Sequence, residues 1–145
     1  MIRAVFDTNV IVSGFLSPAG PPGRIVEWLR SGAVQAVLDD RIAAEYLEVL
    51  LRPAFRLPPP EVTLVLAKIG SHAFRIEASP EAAAMDLPDP EDLPFLECAK
   101  AAGVPLVTGN LRHFPKRLAG TTPILTPAQF VTLAGSENPD PTSSD

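Results

Sequence analysis

Short apolar runs alternate with segments of helical period along this chain, and that alternation sets most of what it can fold into. The runs are Ile2 to Phe6, Val34 to Leu38, Phe74 to Ile76, Val104 to Thr108 and Ile124-Leu125. Each is too short for a helix and is bounded by polar or turn residues, the signature of a buried strand. Val10 to Leu16 reads as a short helix, ended by Ser17-Pro18-Ala19-Gly20-Pro21-Pro22. Arg24 to Arg30 carries Ile25, Val26 and Leu29 on one face and stops at Gly32. Asp39 or Asp40 can cap a helix reaching about Arg52, with Pro53 beyond it. After the break Pro58-Pro59-Pro60, Glu61 to Gly70 places Val62, Val65, Leu66 and Ile69 at a 3.6-residue period. Proline is tolerated only in a helix's first turn, so Pro94 makes the helix through Ala102 begin near Glu91 or Asp92. Thr126-Pro127 has the chemistry that opens a last helix, Ala128 to Ala134. Strands alternating with helices make an α/β protein, a three-layer α/β/α sandwich around a mostly parallel sheet of about five strands.

A chain of 145 residues suits one domain. That domain is expected over residues 1–134, with the polar, Pro- and Ser-rich residues 135–145 as a disordered tail. No stretch has the roughly 20 apolar residues that span a bilayer. Arg3 and Asp7 interrupt the first apolar run, so it is not expected to act as a signal peptide. The single cysteine, Cys98, leaves no internal disulfide and fits a reducing cytoplasm. Two histidines and no cysteine cluster argue against a structural zinc site. A net charge of −5 disfavours attraction to nucleic acid by whole-molecule charge. It leaves room for a nuclease, because a cluster of metal-binding acids would account for several of the negatives. The 17 prolines read as biased composition with rigid loops rather than as a functional signal.

Ligands of open α/β sheets bind outside the carboxyl ends of the strands. Asp7 follows the first strand, Glu45 lies in the helix after the second, Asp92 opens the helix before the fourth, and Asn110 follows the fourth. All four can converge on one end of the sheet. Three carboxylates together repel unless a cation neutralises them. Oxygen ligands suit hard ions, Mg²⁺ or Mn²⁺, which can activate water and stabilise a displacement at phosphorus. Each residue also has a plain structural reading: Asp7-Thr8-Asn9 as a turn, Asp92 as an N-cap, Asn110 as a turn residue after Gly109. Glu45 lies on the inner stripe between Ile42 and Val49, where a carboxylate is costly without a partner. The segment Leu111-Arg112-His113-Phe114-Pro115-Lys116-Arg117 brings basic groups beside the site, either to grip phosphates or as a solvated turn. Arg24 is a weaker candidate of the same kind, and His113 a possible general base. His72, Trp28 and Cys98 read as structural.

In this order and spacing the motifs resemble the PIN-domain ribonucleases, especially the VapC-like toxins of bacterial toxin–antitoxin pairs. The likeness runs over about residues 2 to 134. The opening Val5-Phe6-Asp7-Thr8-Asn9-Val10-Ile11 is similar to the family's first motif. It implies Asp7 as first metal ligand, supported by Asn9. Glu45 in Ile42-Ala43-Ala44-Glu45-Tyr46 corresponds to the second acid and Asp92 in Asp92-Leu93-Pro94-Phe95-Leu96 to the third, with Asp89 and Glu91 as neighbouring alternatives. Leu106-Val107-Thr108-Gly109-Asn110 resembles the segment bearing the fourth polar position, with Thr108 reaching the site by its hydroxyl. The chain departs from the pattern at Asn110, where many members have Asp, and at His113, where an acid is common. The resemblance implies a Mg²⁺- or Mn²⁺-dependent cytoplasmic endoribonuclease, the toxin of a type II pair, forming a homodimer and blocked by a small antitoxin protein. Asp7, Glu45 and Asp92 would hold the metal, Asn110 would assist, and Arg112 or Lys116 would steady RNA phosphate. Two rivals are a non-catalytic RNA- or protein-binding module and an aspartate-nucleophile phosphatase. The phosphatase would need a second acid where Asn9 stands.

Overall fold

The computed structural model describes residues 2–78 and 86–137. The expected tail beyond Glu137 lies outside the described residues. Five strands, β1 (Ile2–Phe6), β2 (Val34–Leu38), β3 (Phe74–Arg75), β4 (Leu106–Val107) and β5 (Ile124–Leu125), form one sheet in the order β3-β2-β1-β4-β5. Every pairing is parallel. The helices are α1 (Thr8–Leu16), α2 (Pro21–Ser31), α3 (Asp40–Leu50), α4 (Pro59–His72), α5 (Leu93–Ala102), α6 (Lys116–Ala119) and α7 (Pro127–Glu137).

The α/β sandwich read from the alternation is the fold observed. β1 and β2 have the expected bounds, and both are buried on two faces, as parallel strands under helices must be. α2 packs on α4, α7 and β2, while α5 packs on β1 and β2. On the α2 side, Phe130 of α7 meets Phe6 edge-on at 5.2 Å and Trp28 at 6.5 Å, so the last helix closes the core over the central strand.

Several boundaries differ from the sequence expectation for local reasons. α2 and α4 start at Pro21 and Pro59, because the proline pairs read as breaks instead fill the first helical positions. α7 opens at Pro127 behind a reciprocal pair: Gln129 N donates to Thr126 Oγ1, and Thr126 N donates to Gln129 Oε1. It runs to Glu137, three residues beyond the expected end. β4 spans two residues rather than five. No helix among the described residues is long and apolar enough to cross a membrane.

The strand order places the function. From β1 the chain moves outward through β2 to β3, then returns to the other side of β1 as β4. The reversal lies between β1 and β4, the place where open parallel sheets form a crevice at their carboxyl ends. The register pairs Val5 with Leu106 and Phe6 with Val107. The next residues on the two strands are Asp7 and Thr108.

Candidate active site

Asp7 is 5 % exposed and stands at the N-cap position of α1 without making a side-chain cap bond. Its backbone N–H donates to Val107 O at 2.9 Å, which fixes it across from β4. Carboxylate oxygen Oδ2 accepts from Thr108 Oγ1 at 2.8 Å and from Asn9 Nδ2 at 3.3 Å. Asn9 Oδ1 accepts in turn from Gly109 N at 3.0 Å, so one side chain ties the end of β1 to the loop after β4. A Cβ on residue 109 would lie 3.3 Å from that oxygen, and glycine leaves the approach open. Thr108 is fully buried, and its hydroxyl also accepts from Asn110 N at 3.0 Å. Burial pushes the Asp7 carboxyl above its usual range, against the lowering effects of the Thr108 hydroxyl, the Thr8 amide and His113.

Glu45 joins this group through Thr8, whose hydroxyl donates to Glu45 Oε2. The buried stripe of α3 is Ile42, Tyr46 and Leu50, with Glu45 half-buried at its rim rather than on the inner line with Val49. Tyr46 is buried, and its hydroxyl donates to Phe6 O at 2.5 Å. That bond rivets α3 to the residue just before Asp7. Burial, with the charges of Asp7, Glu91 and Glu48, raises the Glu45 carboxyl despite the Thr8 hydroxyl.

Asp92 is 8 % exposed and takes the N-cap position of α5, but in helical conformation and without a capping bond. The plain reading of Asp92 as a cap therefore fails. Asp89 instead caps the 3-10 turn Pro90–Asp92 that leads into α5, accepting from Glu91 N at 3.0 Å, while Glu91 is exposed. Oδ2 of Asp92 is buried and completes no hydrogen bond among the described residues. Nδ1 of His113 stands 3.0 Å from it, at ion-pair distance. Burial and the charge of Asp7 push the Asp92 carboxyl up to about 7, with His113 opposing.

Asp7 thus raises the carboxyls of both Glu45 and Asp92. Glu45 and Asp92 also line one cleft of about 400 Å³, together with Glu48, Arg52, Asp89 and Glu91. The three acids face one region, and hydroxyls and an imidazole are what oppose their charge. Their oxygen-only chemistry fits a hard divalent cation. No three His, Cys, Asp or Glu side chains among the described residues are drawn close enough to cage an ion as they lie.

The remaining expected residues divide. Asn110 is tied to Thr108 through its backbone, but its side-chain Oδ1 accepts from Arg112 N at 3.2 Å and caps the 3-10 turn Leu111–His113. Arg112 is exposed on that turn. Lys116 opens α6 and lines a separate hollow of about 500 Å³ with Leu111, Phe114 and Pro115. Arg24 lies over the Trp28 ring at 5.2 Å. Trp28 and Cys98 are buried as expected, whereas His72 is exposed beside Gly32. Two contacts escaped the sequence reading: Thr8 on Glu45 and His113 on Asp92. Thr8 lay inside the quoted opening motif, and its place between Asp7 and Asn9 was the available signal. The sequence offers His113 as a phosphate-gripping group or a general base, at a position where the family commonly has an acid, and not as a partner of Asp92.

A second charged cluster follows β2. Asp39 Oδ1 caps α3 by accepting from Ile42 N at 3.0 Å. Arg41 pairs with Asp39 at 2.8 Å and with the buried Glu97 at 2.7 Å. The Asp39 carboxyl is held below its usual range, as the Ile42 amide and Arg41 outweigh burial. The adjoining Cys98 thiol is pushed up to about 12 by burial and by Asp39, so it is an inert packing group.

No curated protein matches the chain. A family model described as the PIN domain matches residues 3–112, more than half of the 145 residues. The match spans Asp7, Glu45, Asp92 and Asn110, and the chain belongs to the PIN-domain family.

Proposed function

We propose that this chain is a divalent-metal-dependent endoribonuclease. PIN domains are in general metal-dependent nucleases, and the match to that family supports hydrolysis of nucleic-acid phosphodiesters. The observation that carries the reading is the arrangement of Asp7, Glu45 and Asp92. All three have raised carboxyls, none makes a side-chain cap bond to a helix, and two line one open cleft.

Asp7, Glu45 and Asp92 would hold a Mg²⁺ or Mn²⁺ ion, which when bound supplies an activated water and positive charge for the phosphate oxygens. The chain's own residues then have distinct tasks. Thr108 and Asn9 fix the Asp7 carboxylate by two donated hydrogen bonds. Thr8 fixes Glu45, and Tyr46 sets how far α3 stands from β1. Such bracing keeps ligand oxygens oriented between turnovers. The RNA backbone is proposed to approach through the cleft of about 400 Å³ that Glu45 and Asp92 line. Arg112, exposed next to His113, is proposed to meet a flanking phosphate, with Lys116 further along the same segment.

The finer reading is the toxin of a type II toxin–antitoxin pair, a cytoplasmic homodimer silenced by a small antitoxin. The motif resemblance is what supports it. Against the phosphatase reading, Asn9 stands where a second acid is needed and is committed to Gly109 and Asp7. RNA incubated with the protein and Mn²⁺ is expected to be cut, and a chelator to stop the cutting. Cleavage that survives the chelator would refute the proposal. The absence of any Mn²⁺ binding would favour a non-catalytic binding module.

A further inference from the structure

We propose that Arg52 is the residue that grips an RNA phosphate inside the cleft, so that the bound strand passes the carboxyl-terminal end of α3. This rests on the nuclease reading of the same cleft.

The lining of the cleft poses the problem. Among the described residues it offers five carboxylates, on Glu45, Glu48, Asp89, Glu91 and Asp92, and one cation, Arg52. A phosphodiester that enters meets like charge on most of this wall, and Arg52 is the group there that attracts it. The cations expected from the sequence stand elsewhere. Lys116 lines a separate hollow, and Arg112 is exposed on its own turn outside this lining.

Arg52 is held at its root and available at its tip. Its backbone N–H donates to Val49 O at 3.1 Å, and its carbonyl accepts from Phe55 N at 3.1 Å. The main chain is thereby pinned between the end of α3 and the 3-10 turn Pro53–Phe55. In the guanidinium only Nη2 is engaged, donating to the two carboxylate oxygens of Glu48 at 3.1 and 3.0 Å. Nε and Nη1 make no hydrogen bond among the described residues. The pair with Glu48 joins residues four apart on a helix end, and both side chains are more than half exposed. A pair of this kind contributes little and exchanges readily for a stronger acceptor. Phosphate is such an acceptor, and the planar guanidinium matches it with two parallel donors.

The test pairs two readouts on the full chain, using a short fluorescein-labelled single-stranded RNA. In steady-state cleavage with Mn²⁺, Arg52→Ala is expected to raise KM about tenfold while kcat changes less than about twofold. Arg52→Lys, which keeps the charge and loses the fork, should recover part of that loss. In fluorescence anisotropy with a chelator, Arg52→Ala should flatten the slope of log affinity against log salt by about 0.7, the share of one phosphate contact on a single strand. Arg56→Ala is the control, because Arg56 is exposed on the same loop but outside the cleft lining. It should leave KM and the salt slope unchanged. Circular dichroism checks that each variant folds. A wild-type KM and salt slope in Arg52→Ala, or a loss confined to kcat, overturns the contact and leaves the nuclease reading standing. RNA that the wild type binds but never cuts overturns the nuclease reading, and the salt slope then still decides for or against Arg52.

Discussion

Two aspartates open two neighbouring crossovers, and they have opposite fates. Asp7 follows β1 and Asp39 follows β2, each at the N-cap position of the helix that comes next. Asp39 caps its helix, pairs with Arg41 and sits below its usual pKa. Asp7 makes no side-chain cap bond, accepts from the Thr108 hydroxyl and the Asn9 side-chain amide, and is raised by burial. The first arrangement is complete, with charge and hydrogen bonds matched inside the protein. The second keeps an anion buried beside two further raised carboxyls. A buried charge is costly unless paired. One cluster is matched by the guanidinium of Arg41, while the other has three carboxylates facing a single imidazole.

The largest effect that would break this contrast is on activity. Asp7→Asn is expected to lose all detectable metal-dependent RNA cleavage while circular dichroism stays native, and Asp39→Asn to retain cleavage. Loss of activity in both would erase the functional distinction. Stability should show the reverse. Arg41→Ala strips an ion-pair partner from Asp39 and from buried Glu97. Because Arg41 is partly exposed, the cost is expected at about 2–3 kcal/mol, below the full penalty for a buried pair. Denaturant unfolding measures it. Asp7→Asn in the metal-free protein should be neutral or stabilising in the same assay.

Acidity separates the clusters by sign. A carboxyl raised on folding makes the native state hold more protons than the unfolded chain, so stability falls as pH rises. For Asp92 that window runs from the ordinary carboxylate range near 3.8 up to about 7. Asp39, lowered on folding, stabilises above its unfolded pKa and is lost as pH falls through its folded value. Metal-free protein is therefore expected to lose thermal stability between about pH 4 and pH 7, and Mn²⁺ or Asp92→Asn to flatten that loss. A flat metal-free profile would count against the strained acids. The smallest effect belongs to Tyr46→Phe, which leaves Phe6 O without its buried donor at a cost of about 1–2 kcal/mol. It is expected to weaken Mn²⁺ binding while keeping the fold, as a calorimetric titration beside an unfolding curve will reveal.

Much of this was legible in the sequence. Alternating apolar runs specify layers, and β1, β2 and β5 are where those runs lie. The proline pairs misled, since Pro21-Pro22 and Pro59-Pro60 look like breaks until the following helix shows them in its first turn. Asp7, Glu45 and Asp92 were named from order and spacing. What escaped was side-chain direction. That Asp92 leaves α5 without a side-chain cap depends on the 3-10 turn before it, which Asp89 caps instead. Asn110 turns to its own loop while His113 turns to Asp92, a choice fixed by tertiary packing and carried by no local period. Asp7 and Asp39 look alike as residues after a strand. Their partners tell them apart: Thr108, far along the chain, for Asp7, and for Asp39 the nearby Arg41, itself anchored by the distant Glu97.

The most direct measurement is calorimetric titration of Mn²⁺ into the metal-free chain and into Asp7→Asn, Asp92→Asn and Asp39→Asn. Binding present in the wild type and in Asp39→Asn but lost in the other two is the expected result. An isotherm unchanged by Asp7→Asn and Asp92→Asn would contradict the view that these carboxylates hold the ion.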